Sequence, residues 1–222
     1  MSTIEPIHFT SADDGEETAR ADLYGVLAGL FAAPPSTELL QAIATAPPAT
    51  GNTVLEQSWR MLTAAAAAAL ANGGAEAVRE EYEALFIGIG KPEVLLYGSY
   101  YLAGFLMERP LAALRTDLAQ LGLERADNVV ESEDHIASLC EVMRFLIAGD
   151  TETDADAAGD APPVSAKSRL TAQKRFFSVH MQSWTGEMCA AVIAHRQSRF
   201  YRRVAELARQ FFEIEAQAFD IG

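Results

Sequence analysis

Apolar positions recur every three or four residues along most of the chain, the period of helices that bury one face. Over 14–32 the stripe is Ala21, Leu23, Tyr24, Leu27, Leu30 and Phe31, and Ala33-Pro34-Pro35 stops it. Proline lacks the backbone donor and pushes the residue before it out of the helical region. Thr37 to Thr45 reads as a short helix closed by Pro47-Pro48 and Gly51, and a longer one runs from Thr53 to Ala71 through six consecutive alanines. Alanine is the best helix former and permits close packing. Asn72-Gly73-Gly74 ends that helix, and 75–87 forms the next, with Val78, Tyr82, Leu85 and Phe86 on one face. Further helices are predicted over 110–121, 132–148, 167–181, 184–195 and 198–219.

Two stretches depart from this pattern. Val94 to Leu102 is aromatic and β-branched enough for a strand. No second strand is in sight, so 93–108 reads as loop, then short helix. Residues 149–165 are acidic and of low complexity, a solvated linker. Their aspartates lack the spacing of a calcium loop, which needs glycine at the sixth position and glutamate at the twelfth. The fold expected is all-α, a single-domain bundle of nine or ten helices without internal repeats.

Composition narrows the partners. The chain has 222 residues, 50% of them apolar, with a formal net charge of −14. Nucleic acid and anionic membrane surfaces are disfavoured, because both are bound through Lys and Arg. A cationic partner is favoured by long-range steering. Residues 1–166 hold 8 Lys/Arg against 26 Asp/Glu, a net of −18, whereas 167–222 hold 9 against 5, a net of +4. Cys140 and Cys189 fall inside apolar helical patterns, as small buried hydrophobes of a reducing compartment do. Met1-Ser-Thr-Ile-Glu-Pro6 has neither the basic nor the apolar part of a signal peptide. With no run of about 20 apolar residues, a cytoplasmic location without stable membrane insertion is expected.

Glu131-Ser-Glu-Asp-His135 concentrates the candidate chemistry, directly before the apolar run Ile136 to Ile147. Ser132 suits a helix N-cap, with Glu133 and Asp134 complementing the dipole in the first turn. That leaves His135 and Glu131 without a reason. Glu131 lies three residues from Asp134 and four from His135, so the three can share a side. On spacing alone, a charged cap and an acidic site for a cationic ligand both stand. Catalytic and metal readings are weaker. There is no Gly-x-Ser-x-Gly elbow, no Walker or dinucleotide loop, and no His-Glu-x-x-His. Adjacent Asp134 and His135 would point apart on a helix. His180, Cys189 and His195 match no zinc spacing. Tyr82, Leu85 and Phe86 read by pattern as core, as do Phe176, Phe177 and Trp184.

Four segments nevertheless occur together in order: Tyr82-Glu-Ala-Leu-Phe86, Leu96-Tyr-Gly-Ser-Tyr-Tyr-Leu102, Glu131-Ser-Glu-Asp-His135, and Phe177 to Trp184 followed by Phe200 to Ala208. They resemble the TorD/DmsD family of cytoplasmic molybdoenzyme chaperones over roughly 20–218. The matching family motifs are an aromatic-x-x-Leu-Phe, an aromatic-Gly-Ser segment, Glu-Pro-x-Asp-His, and His-x-x-Pro-Trp with Phe-Tyr-Arg. Ser132 and Ser183 stand where the family usually has proline.

The resemblance implies a chaperone rather than an enzyme. Such a protein binds the twin-arginine signal peptide of a molybdopterin oxidoreductase catalytic subunit. It holds the client, in some members through its mature part as well, until cofactor insertion and handover to the Tat machinery. Glu131 and Asp134 would then supply carboxylates for guanidinium groups, beside an apolar groove of Tyr82, Leu85, Phe86 and Tyr97 that continues into Ser99. His135 would orient a carboxylate or donate to the peptide, and its titration near neutral pH would serve as a release switch. No tightly bound cofactor is implied, only weak contact with guanine nucleotide or molybdopterin. Two other functions remain open: a NarJ-type chaperone for an unexported, membrane-bound nitrate reductase, and a hydrolase using Asp134 and His135.

Overall fold

The computed structural model describes residues 14–47, 51, 53–126, 130–149 and 166–221, and every regular element among them is a helix. The N-terminal stretch Met1–Pro6 and nearly all of the acidic linker lie outside the described residues. Ten α-helices follow in order: α1 (Asp14–Ala32), α2 (Thr37–Thr45), α3 (Val54–Ala71), α4 (Gly74–Tyr82), α5 (Gly98–Ala103), α6 (Arg109–Gln120), α7 (Ile136–Ala148), α8 (Ala166–His180), α9 (Thr185–Ala194) and α10 (Phe200–Ile221). The all-α expectation is met.

Local chemistry sets most of the boundaries. Ser36 caps α2 by accepting the Leu39 N–H. Thr53 and Glu56 cap α3 reciprocally, each side chain accepting the other's backbone N–H. α4 does not stop at Tyr82 but loosens into a π-helical turn over Glu83–Ile87, ended by Gly88 in the left-handed region (φ 66°). A Cβ at Gly88 would lie 2.1 Å from the Lys91 carbonyl oxygen, so only glycine fits this turn.

One core joins the helices. α1 packs along α7, α10 lies against α9 and α3, and α2 covers α3. The stripe read in α1 is buried throughout, with Tyr24, Leu27, Leu30 and Phe31 fully so. The last carbonyls of α1 have no partner within the helix. Tyr201 and Tyr82 supply them, their hydroxyls donating to Leu30 (3.0 Å) and Phe31 (3.1 Å). Nearer the start of α1, Arg20 makes two 2.8 Å contacts with the buried Glu215 carboxylate, which also accepts the Tyr24 hydroxyl. No helix among the described residues is long and apolar enough to cross a membrane.

Candidate functional site

Two segments far apart in sequence meet at the site. Leu96 to Ser99 runs beside Asp134 to Ile136, with a single antiparallel bridge between Tyr97 and His135. Gly98 N–H donates to the Asp134 carbonyl (2.9 Å), and Ile136 N–H donates to the Leu96 carbonyl (2.8 Å). The strand-like composition of Val94 to Leu102 is spent on this bridge, after which the chain turns into α5, as the loop-then-helix reading expected.

The side chains reinforce the crossing. Asp134 Oδ2 accepts the Ser99 backbone N–H at 2.8 Å, and Asp134 Oδ1 accepts the Ser132 hydroxyl. Ser99, Asp134 and His135 are all buried. The helix expected over 132–148 begins only at Ile136, and its N-cap is His135 rather than Ser132. The reason is local: the Ser132 hydroxyl is taken by Asp134, while His135 Nδ1 accepts the Ala137 N–H at 3.2 Å. An imidazole in that role is neutral, because protonated Nδ1 has no lone pair to offer. Burial holds the His135 pKa below its usual value, opposed by Glu131 and Asp134. Near neutral pH the ring therefore stays uncharged, which removes the basis for a release switch titrating there.

The three carboxylates do different things. Asp134 is consumed by the crossing. Glu133, expected to face the helix dipole, instead makes a two-point contact with Arg115 on α6 (3.0 and 2.9 Å), with Arg125 at 4.0 Å. The Arg115 hydrogen bond lowers the Glu133 pKa. Glu131 remains at the half-buried lip, where it accepts the Tyr97 hydroxyl. Burial, then this bond, raises the Tyr97 pKa. Burial and the nearby Glu131 charge raise that of Tyr82 to about 12, so the Glu131 carboxylate faces two neutral phenols.

Tyr82, Leu85 and Phe86 lie beneath this lip in the core. Tyr82 and Phe86 meet edge to face (5.1 Å), and Phe86 meets Tyr201 at the same distance. What these residues offer is a rigid floor. It is fixed from outside by Glu81, whose carboxylate accepts the Arg199, Phe200 and Tyr201 N–H groups at the start of α10 (2.8, 3.1 and 2.8 Å). Sequence reasoning passed over Glu81, since a cap contributed from 118 positions away has no local signature.

Trp184 supports α5 from behind. Its indole N–H donates to the His180 carbonyl (2.7 Å), and its ring stacks on Tyr101 at 5.5 Å. A Cβ at Gly98 would come within 3.1 Å of the Trp184 Nε1. The Gly-Ser pair is thus explained: glycine lets α5 approach the indole, and Ser99 presents its N–H to Asp134. His180 itself is held by Asp117 at 2.8 Å. Among the described residues, no group of three or more His, Cys, Asp and Glu could hold a metal ion.

The family model described as "nitrate reductase delta subunit" matches residues 52–190, more than half of the chain. The match runs from the start of α3 into α9 and includes both halves of the crossing. No curated protein matches the chain.

Proposed function

The chain belongs to the nitrate reductase delta subunit family of molybdoenzyme maturation chaperones, and from that membership we propose that it binds the N-terminal segment of a molybdoenzyme catalytic subunit. It holds that segment in the cytoplasm while the cofactor is inserted. The observation that carries the reading is the division of labour among the carboxylates. Asp134 and Glu133 are committed to the fold, whereas the side chain of half-buried Glu131 accepts, among the described residues, the neutral Tyr97 phenol. A guanidinium can approach it and gain a charge-assisted contact that Tyr97 does not supply. Ser99, Asp134 and His135 act by holding Tyr97 and Glu131 in place, and Tyr82, Leu85 and Phe86 form the floor beneath them.

Two kinds of client fit this site. Leu96 to Leu102, with its likeness to the DmsD branch, favours a twin-arginine signal peptide and later handover to the Tat machinery. The match to the nitrate reductase delta subunit favours a nitrate reductase catalytic subunit that is never exported. Calorimetric titration of the full chain with two synthetic peptides separates them. One carries an Arg-Arg pair before an apolar run, and the other keeps the run but has a single basic residue. Preference for the first supports the signal-peptide reading, and equal binding supports the nitrate reductase reading. Binding of neither overturns the proposal.

A further inference from the structure

From the last turn of α5 to the start of α6 the chain leaves Leu102, Phe105, Leu106 and Met107 in water, with Phe105 72% and Met107 77% exposed. Single exposed apolar residues are ordinary, but four within six consecutive positions are a concentration that calls for a partner. The backbone that displays them is strained as well. Met107 has a φ of 59°, and it is the only non-glycine with positive φ among the described residues. Such a conformation persists only where the surroundings enforce it. Here the Met107 N–H donates to the Ser99 hydroxyl oxygen at 3.2 Å, and the Ser99 N–H is in turn held by Asp134. The buried crossing therefore continues outward, through Ser99, into the exposed strip. Between Ser99 and the strip, Tyr100 lines a cleft of about 380 Å³ together with Glu93 and Glu187.

We propose that Leu102–Met107 is the docking strip for the apolar part of the client's N-terminal segment, set in register with Glu131 by the Asp134–Ser99–Met107 connection. This rests on the peptide-binding reading above and extends it to a second, apolar contact. Charge selects the occupant. The strip runs into Glu108, whose carboxylate makes no ion pair among the described residues; Arg109 follows it, and the chain as a whole carries a net charge of −14. A second copy would bring one strongly acidic chain against another, whereas a basic segment is drawn in. A segment with a basic part followed by an apolar part satisfies both Glu131 and the strip. A preformed strip also lowers the entropic cost of capture.

Two synthetic peptides test this by titration of the full chain. Both carry an Arg-Arg pair, followed in one by a Leu/Ala run and in the other by a Gly/Ser run. Phe105→Ser with Leu106→Ser is expected to weaken the Leu/Ala peptide by about tenfold or more and to leave the Gly/Ser peptide unchanged. Glu131→Gln is expected to weaken both. If the double variant binds the Leu/Ala peptide like wild type while Glu131→Gln does not, the strip proposal is wrong and the charged grip stands. If wild type binds neither peptide, the functional reading fails, and this proposal with it. A dimer that the double variant converts to monomer in sedimentation, with peptide affinity unchanged, also overturns it. Phe105→Ser alone carries the same reading should the double variant melt early.

Discussion

The backbone N–H of Ser99 donates to Asp134 Oδ2 at 2.8 Å, binding the first turn of α5 to the segment before α7 across 35 positions of sequence. A buried carboxylate that accepts two hydrogen bonds has exchanged its water for fixed partners. Removing it strands those partners. Asp134→Ala should cost about 2–3 kcal/mol, since a buried N–H loses a charged acceptor. Asp134→Asn, which keeps an oxygen for one of them, should cost less. Urea unfolding that follows the midpoint at constant slope measures both. Equal stability of wild type and Asp134→Ala would remove the structural role assigned to this residue.

Gly98 faces the Trp184 indole closely enough that an added methyl must displace it. Gly98→Ala should destabilise by about 1–3 kcal/mol, the range for overpacking a filled interior. It should also perturb the near-ultraviolet dichroism of the indole. Trp184→Phe removes the contacted indole atoms, so Gly98→Ala should cost less in that background than in wild type.

His135 sets a pH dependence whose sign follows from its neutral role. Its pKa is lowered on folding, so between the folded value and about 6.5 the unfolded chain binds more protons. The stabilisation from the neutral imidazole is complete above about 6.5 and is lost as pH falls through the folded value, with a slope of at most about 1.4 kcal/mol per pH unit. His135→Asn keeps a cap acceptor without a titrating group. Unfolding free energies of the two proteins should therefore diverge below about pH 6.5, wild type falling more steeply. Parallel curves would show that His135 does not titrate on folding.

Glu81 ties α4 to α10, and through α10 it seats Tyr201 against Tyr82 and Phe86. Glu81→Ala should cost about 1–2 kcal/mol, the usual loss on removing a helix N-cap. Hydrogen exchange should show the loss at the first turn of α10, with Tyr201 N–H exchanging faster. Protection unchanged at that turn would contradict the assignment.

The helices were legible in the sequence because each buries a stripe whose period is local. Leu23 to Phe31 and Val78 to Phe86 announce their faces without reference to the rest of the chain. Glu131 to His135 was recognisable as special for the same reason, through an unusual local density of charge. Its internal roles were not. Ser132 looked like the cap because serine caps often do. It lost that place to His135 once Asp134, oriented by Ser99, claimed its hydroxyl. Glu133 read as a partner of the helix dipole, whereas Arg115 from α6 holds it. Glu81 gave no signal, and Trp184 read as core without its role beneath α5, since each acts on a partner that only the fold brings near. Long-range hydrogen bonds decide which carboxylate is free, and they leave no periodic trace.

The central claim is that Glu131, alone among the three acids of its segment, is available to a cationic client. Titration of wild type and Glu131→Gln with an Arg-Arg peptide bearing an apolar run, at low and at moderate salt, tests it most directly. The amide can still accept the Tyr97 hydroxyl, so the fold should be intact. Affinity should nevertheless fall by about tenfold, and the variant should lose much of the salt dependence that wild type shows. Equal affinity and equal salt dependence in the two proteins would contradict the account.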